Sequence, residues 1–188
     1  MTQINKTQYG LKKLGFALRD SENLTYGNIY WLPGAISLGL TRNDNAQTLA
    51  ADDGEYDRGK AGKTVTGDLN VALFNEDWLT KVLGHYAVGG GIAEGDGTSA
   101  EFALVGQVSG DQGGYRFVWY GCTATDPTTT HQTIEVDGTI NYATETCTIT
   151  SKTVELSSGD SLRSFKCEKG TANYDSFFDA IYIPPQVQ

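Results

Sequence analysis

The chain has 188 residues with 14 Lys and Arg against 23 Asp and Glu, a formal charge of −9 and a pI near 4.6. That balance excludes a surface that grips nucleic acid through clustered bases. A hydrophobic content of 39%, with 23 glycines, 3 Trp, 10 Tyr and 7 Phe, disfavours a helical bundle and fits short strands and turns. The expected fold is mainly β: a single domain, 1–188, built as a sandwich or barrel of antiparallel strands with one flanking α-helix at about 75–83 and long loops. No apolar run approaches the roughly 18 residues that span a bilayer, and the start "MTQINKTQYG" lacks a secretory apolar stretch, so a soluble protein made in a cytoplasm is expected.

In chain order, "GAISLGL" (34–40) alternates, with Ile36, Leu38 and Leu40 on one face and Ala35, Ser37 and Gly39 on the other, which predicts a half-buried strand. Next, "GEYDRGKAGKT" (54–64) invites comparison with a phosphate-binding loop and fails it. In one register Ala61 stands where the Mg²⁺-binding hydroxyl belongs, in the other Asp57 replaces the first glycine, and Asp52, Asp53, Glu55 and Asp57 would repel a phosphate. The stretch that follows, "TVTGDLNVAL" (64–73), alternates as a strand, with Val65, Gly67, Leu69, Val71 and Leu73 facing a core and Thr66, Asp68 and Asn70 facing water.

One helix is predicted over "FNEDWLTKVLG". Asn75 is placed as N-cap, Glu76 and Asp77 lie in the first turn, Gly84 sits at C′, Phe74 and Leu79 have staple spacing, and Trp78 is the core anchor. "AVGGGIAEGDG" (87–97) lacks a βαβ frame and reads as a mobile loop. "EFALVGQV" (101–108) and "YRFVWYGCTAT" (115–125), joined by "SGDQGG", predict a hairpin. "TETCTITSKTVEL" (144–156) and "FDAIYI" (178–183) predict further strands. Polar loops are expected at about 41–63, 85–100, 126–140 and 157–173.

Chemistry-bearing residues do not form a reaction centre in the sequence. Cys122, Cys147 and Cys167 are odd in number and widely spaced, as for free, partly buried thiols, and His85 and His131 are the only histidines. "DDGEYD" departs from a calcium-loop order, and Ser109, Ser151 and Ser176 lack a nucleophile-elbow context. No catalytic residue, cofactor or metal site is expected.

The ordered set "YGLKKLGFALRD" (9–20), "PGAISLGL" (33–40), "LAADDGEYD" (49–57), "DLNVALFNEDWLTKVLG" (68–84), "RFVWYGCTAT" (116–125), "TETCTIT" (144–150) and "YDSFFDAIYIP" (174–184) resembles the major tail protein, or tail tube protein, of long-tailed, siphovirus-type bacteriophages. The chain differs from that pattern at "VGQVSGD" (105–111), at Asp126 and in the longer "TTTHQTIEVDG" (128–138). The resemblance implies a β-sandwich with one flanking helix that self-assembles into stacked hexameric rings, forming a hollow tube in the virion through which DNA passes. It implies partners that are further copies of the chain and other tail proteins (tape measure, tail terminator and distal tail proteins), with no membrane, no specific nucleic-acid binding and no enzymatic activity. The long loop, about 41–63, would then be the assembly loop, with Asp52, Asp53, Glu55, Asp57, Arg58, Lys60 and Lys63 docking onto a neighbour. Thr66, Asp68 and Asn70, which include no base, would line the lumen. A β-sandwich carbohydrate-binding module, also acidic and aromatic, is the alternative.

Overall fold

The computed structural model describes residues 8–43, 46–51, 54–60, 63–110, 114–131, 138 and 140–185, with the backbone alone described for 46–51 and 54–60. Its first strands are β1 (Tyr9–Asp20), β2 (Thr25–Tyr26), β3 (Tyr30–Trp31), β4 (Ala35–Asn43), β5 (Ala46–Ala51), β6 (Gly54–Lys60) and β7 (Thr64–Val71). After a helix at Trp78–Val82 come β8 (Tyr86–Val88), β9 (Gly91–Ala93), β10 (Phe102–Ser109), β11 (Tyr115–Ala124) and β12 (Thr128–Thr129). The last are β13 (Glu145–Ser151), β14 (Val154–Glu155), β15 (Ser161–Leu162) and β16 (Ser164–Glu168). Ten strands form one antiparallel sheet: β2, β1, β10, β11, β13, β7 and β4 are successive neighbours, while β3 adds to β1, β12 to β13 and β16 to β11.

Alternation gives this sheet two apolar faces. Leu14, Phe16, Leu69, Leu104, Phe117 and Ile149 point to one side, where Trp78 and Val82 of the helix join them. On this side the sheet curls until β1 and β4 approach. Ala17, Ala103, Val105, Val118 and Tyr120 point to the other side and are covered by Phe177 and Ile181 of the C-terminal segment.

A bulge lets β11 serve two neighbours. Its residues 115–119 pair with β16 and 122–124 pair with β13, and the register to β10 slips between the pairs Phe102–Cys122 and Leu104–Trp119. Gly121 sits at the slip with φ +55°, and a Cβ there would lie 2.4 Å from Val154 and 2.8 Å from the Lys152 carbonyl. The extra residue resets the alternation, so Phe117 and Trp119 before it and Cys122 and Ala124 after it all meet the same core.

The helix is where the sequence places it but is wound differently. The Asn75 side chain accepts from the Trp78 N–H at 3.0 Å, and the His85 N–H closes the C-terminus on Leu79 O at 3.0 Å with Gly84 at φ +76°. The expected α-helix is instead π-wound over Trp78–Val82, with Leu83 N–H donating to Trp78 O at 3.3 Å. Phe74 stacks on Trp78, with ring centroids 5.2 Å apart.

Other expectations are corrected. A register shift between Ala35 and Ser37 turns Ile36 out of the core, to 53% exposure, and β7 ends at Val71, leaving Leu73 67% exposed. The expected strand at 178–183 is not formed: a series of turns ends at 179 and 181–183 are irregular; Tyr120 donates its hydroxyl to the Tyr182 carbonyl at 2.5 Å, and the Arg116 guanidinium lies 4.5 Å over the Phe178 ring. Of the expected loops, 41–63 holds the hairpin β5–β6, 85–100 holds the hairpin β8–β9, and 157–173 holds β15 and β16. The expected loop at 126–140 holds β12, and 132–137 and 139 lie outside the described residues. The hairpin of β10 and β11 forms as predicted. All three thiols are buried, more fully than the sequence suggests, and burial pushes Cys122 and Cys147 up to about 12.

One partly buried charge cluster ties β1, β10 and the β13–β14 turn: Glu101 pairs with Arg19 and, at 2.9 Å, with Lys152. Burial pushes the Glu101 carboxyl up, but the hydrogen bonds from Lys152 and Arg19 outweigh it and hold it below its ordinary value of 4.5. Its stabilising contribution is therefore whole above pH 4.5 and is lost as pH falls through the lowered value. Glu101→Gln is expected to be less stable than the parent at pH 7, with the gap closing at the acid end of a series of denaturant titrations. A gap that stays constant with pH would contradict this.

Candidate functional site: a hydroxyl-lined sheet face

Away from the core, β4, β7, β13 and the end of β11 present a nearly uniform polar surface. Opposite Thr66, Asp68 and Asn70 of β7 stand Thr150, Thr148 and Thr146 of β13, and on the other side Thr41, Gly39 and Ser37 of β4. Thr123 of β11 extends the row beside Thr150. Threonine suits this position because its branched Cβ fits the pleat while its hydroxyl pairs across strands. Asn43 donates to Thr66 Oγ1 at 2.7 Å, Thr148 donates to Asp68 Oδ1 at 3.0 Å, and Thr125 Oγ1 accepts from the Thr148 N–H at 3.1 Å. The side-chain amide oxygen of Asn70 is buried with no hydrogen-bond partner among the described residues. Asp68 is the one ionisable group among these positions, so the face carries hydroxyls, amides and a single negative charge.

The structure thus brings together Thr66, Asp68 and Asn70 on one polar face, as the sequence pattern requires. Sequence reasoning missed Ser37, Thr41, Asn43, Thr146, Thr148 and Thr150, although the T-x-T-x-T run of 146–150 carried the signal.

Two hairpins stand off the main sheet. β5 and β6 pair from Ala46–Lys60 to Ala51–Gly54 and form a separate ladder between β4 and β7. Of the charged residues expected there, Glu55, Asp57, Arg58 and Lys60 lie on the β6 backbone, Asp52 and Asp53 lie outside the described residues, and Lys63 is exposed just before β7. The second hairpin, β8–β9, turns through Gly89 and Gly90, whose φ values of +61° and +82° suit a tight two-residue connection. Its strands carry Tyr86, Val88 and Ile92 at 62%, 64% and 38% exposure. Tyr86 and Val88 share one face of the ribbon and Ile92 lies on the other, and a free two-stranded ribbon is marginally stable in water.

No family model and no curated protein matches the chain. Solved structures similar to the chain at low sequence identity include three from contractile injection systems and prophages. The tube-terminating cap of the anti-feeding prophage is 9% identical with a TM-score of 0.48, covering 89% of this chain and 96% of that chain. The sheath–tube complex of an extracellular contractile injection system, PVC, in its extended state is 8% identical with a TM-score of 0.39, covering 85% and 91%. The six-fold symmetrised baseplate of the anti-feeding prophage is 7% identical with a TM-score of 0.43, covering 91% and 100%.

Proposed function

We propose that this chain is a tail tube protein of a bacteriophage, a structural virion component with no catalytic role. Copies close into hexameric rings, the rings stack, and the face built on β4, β7 and β13 lines the channel. The hairpin β5–β6 is the docking arm that meets an adjoining ring, and the tape measure, tail terminator and distal tail proteins are the further partners.

The observation that carries this reading is the polar face, where Asp68 is the sole charge among the described residues. A polyanion is retained by Lys and Arg that replace its counterions, so a conduit for DNA is best lined by hydroxyls, amides and an occasional acid. The ordered sequence resemblance and the antiparallel sheet with its one helix agree with it.

Negative-stain microscopy of concentrated protein should show rings or tubes. The chain without 46–60 should keep the parent circular dichroism spectrum and form no tubes, because that segment stands off the sheet. Subunits and tubes alike should leave duplex DNA unshifted in a gel even at low salt. A shift that weakens steeply with added salt would overturn the lumen assignment, and dispersed subunits that bind glycans would favour the carbohydrate-binding alternative.

A further inference from the structure

We propose that His85, Glu94 and Asp126 form a binding site for a divalent transition-metal ion, which staples the β8–β9 hairpin to the loop leaving β11. These three residues offer ligand atoms that all lie within 4.8 Å of one another. They come from three places. His85 follows the helix, Glu94 follows β9, and Asp126 follows β11. Tyr86 and Ala93 are the last pair of the hairpin ladder, so His85 and Glu94 flank its base on opposite strands.

The imidazole is fixed rather than loose. Its side chain is only 7% exposed, and Nε2 lies 3.1 Å from Asp126 Oδ1, whose side chain is 61% exposed. A simple histidine–aspartate pair would account for that contact alone. Glu94 brings a second carboxylate to the same point, and a cation shared by the two acids and the imidazole would offset the repulsion between the acids. One nitrogen and two carboxylate oxygens are a donor set for zinc and its neighbours in the first transition row, whereas magnesium and calcium favour oxygen alone. The exposed carboxylates leave the solvent side open for water as a further ligand. Such an ion would stabilise a hairpin that has no sheet partner of its own, holding Tyr86, Val88 and Ile92 in position.

Zinc chloride titrated into the full chain in a calorimeter should give one equivalent bound. Cobalt(II) should give visible absorption without the intense band of thiolate ligation. Glu94→Gln and Asp126→Asn, both at exposed positions, should each weaken binding at least about tenfold, the loss seen when even outer partners of a metal site are removed, with circular dichroism unchanged. Absence of binding at millimolar metal would overturn the proposal. So would undiminished affinity in the Glu94→Gln, Asp126→Asn double variant, or a cobalt–thiolate band assigning the ion to a cysteine. Each of these outcomes is independent of whether the chain forms tubes.

Discussion

Trp78→Ala is expected to destabilise the subunit by about 3–5 kcal/mol, the range for truncating a large buried aromatic. Trp78 is fully buried, and its indole is held on three sides: stacked on Phe74 and edge-on to Phe16 and Phe102, each with centroids 5.2 Å away. Those rings belong to the chain just before the helix, β1 and β10, so the cavity would open where three elements meet. At about 2–4 °C per kcal/mol for a chain of this size, the melting temperature should fall by about 6–20 °C. A fall below about two degrees would show that Trp78 is no anchor. Trp78→Phe should cost less than its lost volume suggests, because the indole N–H is buried without an acceptor among the described residues and its removal relieves a desolvation penalty.

Gly67→Ala is expected to be nearly as damaging, while Gly39→Ala on the paired strand should be close to silent. A Cβ on Gly67 would lie 1.7 Å from the Gly39 carbonyl oxygen and 2.9 Å from Leu40 Cα, whereas a Cβ on Gly39 has no heavy atom within 4 Å. The obstacle is backbone, which cannot swing aside as a side chain can, so β4 must separate from β7. The cost should reach about 3 kcal/mol, the upper end for overpacking, against less than about 0.5 kcal/mol at an open surface position. Urea midpoints of the two variants make the comparison internal. Equal midpoints would contradict the close approach of β4 to β7, and with it the continuity of the polar face.

Much of the central sheet was legible because β7 keeps a period of two and β10, β11 and β13 are rich in β-branched and aromatic residues, and the helix was legible because Asn75, Trp78 and Gly84 occupy the positions that end-capping and packing demand. β1 was not found from its pattern. Lys13 adopts φ +48° and the register to β10 slips between Lys12 and Gly15, so "YGLKKLGFALRD" does not alternate evenly. The C-terminal "FDAIYI" misled in the opposite sense, since its apolar side chains cover the back of the sheet from turns and need no ladder. β5 and β6 were hidden by the polarity of the sequence at 46–60; their backbones pair in a ladder of their own. The meeting of His85, Glu94 and Asp126 could not be read at all, because residues 41 positions apart in the chain are joined only by the path of the sheet.

β4 ends the path of neighbouring strands, and on its core side Leu38 and Leu40 are followed by Arg42, at the mouth of a cavity of about 320 Å³ that Leu11 and Trp119 also line. A bare strand edge welcomes any other chain in extended form, and proteins that must stay dispersed until called upon blunt it, often with a charge turned toward the interior. Arg42, which is exposed, places one such charge on this edge. If copies pair along this edge in the proposed tube, a carboxylate or a row of carbonyls facing Arg42 sets the register in which they meet.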